Sequence, residues 1–153
     1  MDKIPSSFEY CLVLFSSALE FKDKEKIIMN NLIIDAANKK IFFMLIKNKN
    51  IYSVSHENSK TNYEKLIILI NDFLRDYNLK ISEISRLYVN RGPGNYSSIR
   101  ISIATIKALK LVNSFDLYGF KTEDVINENY DKIIDLFNNG HLKKNLIKPY
   151  YSS

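Results

Sequence analysis

Three short apolar runs, Leu32–Ala37, Ile41–Ile46 and Ile51–Val54, constrain this chain most. They are rich in β-branched and aromatic residues and are separated only by polar turns, at Asn38–Lys40 and Asn48–Asn50. Such runs read as buried strands. Connections this short leave no room for a crossover helix, so the three strands pair antiparallel as a meander.

The hydrophobic period then changes. Tyr63, Leu66, Ile67, Ile70, Leu74 and Tyr77 recur every three or four residues, which predicts an amphipathic helix ending near Asn78. Ser82–Ser85 has local helix-start character, and Arg86–Asn90 reads as a fourth strand. A glycine loop and a helix over Tyr96–Val112 follow, then a fifth strand at Phe115–Phe120. A last helix is predicted over Thr122–Asn138, with Thr122 as N-cap and Gly140 as terminator. The order is β-β-β-α-β-α-β-α. Strand–helix–strand units imply parallel pairing in the second half, so the expected fold is α/β, a mixed five-stranded sheet with helices on its faces.

A chain of 153 residues is one domain's worth, and 46% hydrophobic with 25% charged residues is ordinary globular usage. Cys11 is the only cysteine, which excludes an internal disulfide framework and a CxxC zinc site. His56 and His141 lie far apart without metal-ligand spacing, and no Ser-His-Asp arrangement is traceable. The net charge of +5 is mild, and acids interleave with the basic clusters at Lys22–Lys26 and Lys143–Lys144. No aromatic-and-basic stacking surface can be traced, which speaks against a stand-alone RNA-binding module. The longest apolar stretch near the start, Tyr10–Phe15, is too short to span a bilayer. Asp2 and Glu9 before it argue against a signal peptide. The expectation is a soluble, cytoplasmic protein without membrane contact. Residues 1–28 differ in texture and are expected to be a helical extension or an early start; residues 29–140 form the domain and 141–153 a tail.

Two of only four glycines sit in Arg91-Gly-Pro-Gly-Asn-Tyr-Ser-Ser-Ile-Arg100, between a strand and a helix. Glycine serves where the backbone needs positive φ or a close approach, and proline sets the turn between them. Asn95, Ser97 and Ser98 are suited to cap the helix, whose free N–H groups attract anions. The loop is not a Walker A motif, because no Gly-Lys-Ser/Thr follows. Its candidate residues are Gly92, Pro93, Gly94, Asn95, Tyr96, Ser97 and Arg100.

As a string, Gly92-Pro-Gly-Asn-Tyr-Ser-Ser-Ile-Arg-Ile101 resembles the Gly-Pro-Gly-Ser-Phe-Thr-Gly-Leu-Arg-Ile signature of the TsaB/YeaZ family. Leu32–Ala37 is similar to that family's first strand, which ends in Asp-Thr-Ser or Asp-Thr-Ala. Asn62–Leu66 occupies the place of its Asn-His-Ser-Glu-Lys-Leu stretch, and Ala104–Leu109 that of its Ala-x-Ala-Lys-Gly-Leu. The resemblance runs from about Asn31 to Phe120. It implies a single actin-like, RNase H-like subdomain. It also implies a non-catalytic partner of the TsaD subunit in making threonylcarbamoyladenosine in tRNA, with no cofactor of its own and tRNA met through the complex.

The departures are specific. The family's Thr-Gly pair is Ser97-Ser98, and its histidine is replaced at or near Tyr63. Residues 121–153 are too few for the family's second subdomain, yet Leu146–Tyr151 is similar to its closing tail. The expectation is a reduced member that lost the second subdomain internally.

Asp35 is expected to be a strand-end acid in a turn network and is only a weak candidate cation ligand, since the first hairpin lacks the glycine that nucleotide chemistry in actin-like folds uses beside it. A nuclease of this topology needs several acids converging on metal ions, and Asp35 is the only acid at a fitting strand end. Ile99, Ile103 and Ile106 make the sheet-facing side of the long helix. Ile101, Ala104, Ala108, Leu111 and Val112 make a second apolar face, and the first helix carries Ile68, Leu69 and Phe73 off its core stripe. A helix apolar on both sides is sandwiched or buried by another chain. These eight residues are the expected partner interface, a helix bundle with a TsaD-like subunit or a second copy. Arg100 could bind an anion at the loop, but it is expected to pair with Asp35 or another carboxylate, and Tyr96 to pack as the aromatic anchor of the loop.

Overall fold

The computed structural model describes residues 29–145 and 147–151. The expected extension over 1–28, with Cys11, lies outside them. Six strands form one mixed sheet: β1 (Asn31–Asp35), β2 (Lys40–Lys47), β3 (Asn50–Glu57), β4 (Arg86–Asn90), β5 (Asp116–Phe120) and β6 (Lys143–Lys144). Their spatial order is β3-β2-β1-β4-β5-β6. The β1–β2–β3 meander is antiparallel, with Ile33 opposite Met44 and Phe43 opposite Val54. β1, β4 and β5 run parallel, as the strand–helix–strand order requires. The sheet has six strands rather than five, because Lys143–Lys144 pairs antiparallel with β5 at Tyr118 and Gly119. Two consecutive lysines carry no strand pattern, so only the neighbouring edge reveals this strand.

The period-2 alternation sends side chains to two cores. On one face Leu32, Ile34, Phe43, Leu87, Val89 and Leu117 pack under two helices. These are α2 (Leu66–Asp76), with Leu66, Ile70, Phe73 and Leu74, and α3 (Tyr96–Val112), with Ile99, Ile103 and Ile106. On the other face Ile33, Tyr88, Tyr118 and Phe120 meet Val125, Tyr130 and Ile133. Ile147 is buried in the first core, so packing continues past residue 140. Among the described residues no helix is long and apolar enough to cross a membrane.

Two helices differ from their expected extents. The first is split at Lys65 into a short α1 (Lys60–Glu64) and α2. Ser59 caps α1, and Asn62 Nδ2 donates to the Glu57 carbonyl at 2.8 Å, tying that turn to the end of β3. The last helix, α4, is only Asp131–Asn138. Residues 122–128 are 3-10 turns interrupted by non-helical Val125, Ile126 and Asn127. Thr122 is not the N-cap. Its hydroxyl donates to the Pro93 carbonyl at 2.5 Å, while the cap position is Lys121, whose N–H donates to Asp124 at 2.8 Å. Positive φ at Asn127 and Glu128 turns the chain so that Val125, Tyr130 and Ile133 all reach the sheet, which a continuous helix there did not provide. Gly140, at φ +71°, ends α4, and the His141 N–H reaches the Leu136 carbonyl at 2.9 Å.

Candidate functional site

The parallel strands β1 and β4 end side by side, and their last residues, Asp35 and Asn90, face each other in the interior. Asn90 is fully buried and Asp35 nearly so. Asn90 Nδ2 donates to Asp35 Oδ1 at 3.0 Å, and Asn90 Oδ1 accepts from the Gly92 N–H at 2.8 Å. Asp35 Oδ1 also accepts from the Ala37 N–H at 3.0 Å. Its Oδ2 accepts from the Tyr130 hydroxyl at 2.9 Å and from Asn38 Nδ2 at 3.4 Å. The carboxylate therefore serves four protein donors, and it stitches both strand ends to the segment before α4. Burial is the largest influence on Asp35 and pushes its pKa up, against the lowering effect of these hydrogen bonds. Burial and the neighbouring carboxylate push the Tyr130 phenol up as well, so it stays a donor. Among the described residues no group of three or more His, Cys, Asp or Glu side chains converges. The strand-end carboxylate thus sits in a network of protein donors at the turn.

The glycine loop leaves this knot. Gly92 has φ +107°, and a Cβ there would lie on the Tyr150 carbonyl oxygen. A Cβ on Gly94 would collide with the Ala37 backbone. The Asn95 N–H donates to that same Ala37 carbonyl at 2.8 Å, so the loop is pressed on the β1–β2 turn backbone to backbone. Asn95 caps α3, its Oδ1 accepting from the Ser98 N–H at 3.1 Å. Ser97 is exposed. Ser98, standing where the resembling family has glycine, is fully buried, and its hydroxyl donates to the Ala36 carbonyl at 2.6 Å. Asn58 Nδ2 donates to Ser98 Oγ and to the Ala36 and Asn38 carbonyls, bringing β3 into the same junction. Ser98→Ala removes one of the two donors to Ala36 and is expected to cost about 1 kcal/mol. That loss reads as a melting temperature lower by roughly 2–4 °C in a domain of this size. An unchanged melting temperature would show that the Asn58 contacts alone hold the junction.

Two loop side chains sit elsewhere than expected. Tyr96 is 54% exposed rather than anchored, and it stacks on Tyr151 at 5.3 Å. Among the described residues Arg100 pairs with neither Asp35 nor another carboxylate. Its Nη1 donates to the Tyr96 hydroxyl at 2.6 Å on the surface. The reason is position: four residues apart on α3, the two share the outward side of its first turn.

On the expected interface, Ala104, Ala108, Leu111 and Val112 are exposed, the last two at 87% and 80%, and Ile101 is half-buried. Ile68 is exposed, and Ile67 joins it. Leu69 is half-buried against the core. Phe73 is not an interface residue. It is buried against Phe43 and Tyr77, because the break at Lys65 turns α2 so that Phe73 lies with Ile70 and Leu74.

The sequence reading missed Asn90, Asn58 and Tyr130 and gave Thr122 a different role. Only Asn90 has a local signal, a polar residue closing an apolar strand directly before the glycine loop. A cavity of about 640 Å³ opens beside Tyr130, between the β1–β2 turn (Asn38, Lys39, Lys40) and Val125–Glu128.

Comparisons with known proteins agree with this architecture. A family model described as TsaD, tRNA N6-adenosine threonylcarbamoyltransferase, matches residues 54–135. The tRNA threonylcarbamoyladenosine biosynthesis protein TsaB of Buchnera aphidicola subsp. Schizaphis graminum (strain Sg) is 26% identical over 95 residues, covering 62% of this chain and 45% of that protein. YeaZ from Pseudomonas aeruginosa shares the fold at TM-score 0.59 and 16% identity, over 64% of this chain and 46% of that one. RuvC of T. thermophilus, solved with a Holliday junction substrate, shares it at TM-score 0.52 and 7% identity, over 76% of this chain and 99% of that one. The chain spans about half the length of the TsaB and YeaZ relatives it matches.

Proposed function

Because the chain belongs to the TsaB/YeaZ family, we propose that it is a non-catalytic scaffold and activator subunit for tRNA threonylcarbamoyladenosine modification, docking a TsaD-like catalytic subunit through α2 and α3. The carrying observation is the outward stripe of α3. Ile101, Ala104, Ala108 and Leu111 recur at three and four residues, and all but Ile101 are exposed. Two alanines one turn apart let a second helix approach closely, while Leu111 and Val112 add exposed apolar area on the same helix and Ile68 is exposed on α2. Exposed apolar side chains recurring along one helix face suit a partner site. The buried knot at Asp35 supports the non-catalytic part, since its carboxylate is already committed to protein donors. Its role is to hold β1, β4 and the glycine loop rigid, so that α3 is presented in one orientation.

Ala104→Arg tests this reading. The residue is exposed on a helix, so the fold tolerates the change. The arginine would project into the helix–helix contact and leave a charge desolvated there. Affinity for the TsaD protein of the same organism is expected to fall at least ~10-fold, about 1.4 kcal/mol. The melting temperature of the isolated chain should stay within a few degrees. Calorimetric titration and co-elution measure it. Unchanged TsaD affinity, or self-association alone responding to the variant, would overturn the assignment.

A further inference from the structure

A surface that no single segment announces is assembled at the tail. Tyr150 and Tyr151 lie against the glycine loop, with the Tyr150 N–H donating to the Arg91 carbonyl at 2.6 Å. Tyr151 stacks on Tyr96, and Arg100 covers the Tyr96 ring at 5.1 Å. Beside them Lys121 Nζ lies 4.3 Å and the Arg91 guanidinium 5.5 Å from the centre of the Tyr150 ring. Arg91 and Lys121 continue into a depression of about 320 Å³, whose rim adds His141 and Lys143. All three tyrosines are substantially exposed, between 37% and 54%.

Charge is unevenly balanced here. Glu123 and Asp124 line the same depression, but Glu123 pairs with Lys121 at 3.7 Å and Asp124 accepts the Lys121 backbone N–H. Neither Arg91, Arg100 nor Lys143 has a carboxylate within 4.0 Å among the described residues, and Arg91 Nε is sealed from solvent without an acceptor. A guanidinium held by aromatic contact rather than by an acid keeps its outer N–H groups for an anion. Exposed rings alternating with unpaired cations match one chemistry well: phosphates on the cations, unstacked bases on the ring faces.

We propose that this surface binds an unpaired RNA segment directly. The phosphodiester backbone runs from the Arg91–Lys143 depression to Arg100, and a base stacks on Tyr151. The choice of RNA rests on the tRNA-modification reading above. The surface adjoins the first turn of α3 and leaves the Ala104–Val112 stripe free.

The test uses this chain without any partner, so its failure is separate from failure of the docking reading. A labelled single-stranded RNA 12-mer is titrated by fluorescence anisotropy at 50 and 200 mM salt. With about three phosphate contacts, affinity should fall roughly 20-fold between them. Tyr151→Ala, at an exposed site that the fold does not need, should weaken binding ~5-fold or more by removing the stack. Arg100→Gln and Lys143→Gln should each flatten the salt dependence, while Ala104→Arg should not weaken binding. No binding at 50 mM salt would overturn the proposal. So would binding indifferent to Tyr151→Ala, equal affinity for a perfect RNA duplex, or uptake of inorganic phosphate alone.

Discussion

Gly94→Ala is expected to destabilise the fold by about 3 kcal/mol or more, near the upper range for one added methyl group. The new Cβ would fall on the Ala37 carbonyl oxygen, carbon and Cβ, which are backbone or next to it, so no flexible side chain can yield. Relief requires the loop to lift away from the β1–β2 turn. Lifting breaks the 2.8 Å bond from the Asn95 N–H to Ala37 and disturbs the Asn95 cap of α3. A fall in melting temperature of roughly 10 °C follows for a domain of this size. Gly140→Ala is the internal control. Its φ is positive, but among the described residues nothing lies within 4 Å of its Cβ, so only the left-handed backbone penalty of about 1–2 kcal/mol applies. Equal losses at the two positions would show that the loop is not wedged against Ala37.

Asp35→Ala should cost about 3–5 kcal/mol, because the Ala37 N–H and the Tyr130 hydroxyl lose a buried acceptor together. Asn90 suffers less, since Nδ2 also donates to Thr122 Oγ1 at 3.2 Å. The same residue has a pH signature. Burial raises the Asp35 pKa in the fold above its ordinary 3.8. A carboxyl raised in this way favours the folded state while it is protonated. Its contribution is complete below 3.8 and is lost as pH rises through the folded value. Stability should therefore carry a falling component over a window that opens at 3.8, and Asp35→Asn should remove that component. Urea unfolding of both proteins at pH 4, 5, 6 and 7 measures it. A constant difference between them across this range would refute the burial-dominated account.

Local periodicity made most of the fold legible. β4 and α3 stand where their patterns put them, since the apolar Leu87-Tyr-Val89 before a Gly-Pro-Gly turn and a long 3.6-period stretch each have one reading. The errors are equally physical. Residues 122–138 have helical spacing overall, yet Asn127 and Glu128 take positive φ because Tyr130 must reach Asp35, a contact 95 residues away in sequence. Phe73 sits off an ideal stripe drawn from Tyr63, but the break at Lys65 resets the phase of the helix and buries it.

The site divides the same way. The need for glycine at 92 and 94 and for a cap at 95 is readable, because those are local backbone requirements. Asp35 was visible as a strand-end acid, but not that four donors surround it, because three of them come from the hairpin turn, β4 and the segment before α4. The tail surface was invisible for a stronger reason. Its tyrosines and cations come from residues 91–100, 121, 141–143 and 150–151, and no window of sequence contains them together. The sequence by itself determined what most segments from β1 to β5 become and where the glycine loop falls, because hydrophobic period and turn chemistry act over a few residues. Only the tertiary structure decided what Asp35 binds, which side of each helix stays bare, and which charges end without a partner, because those depend on which distant segments the sheet brings side by side.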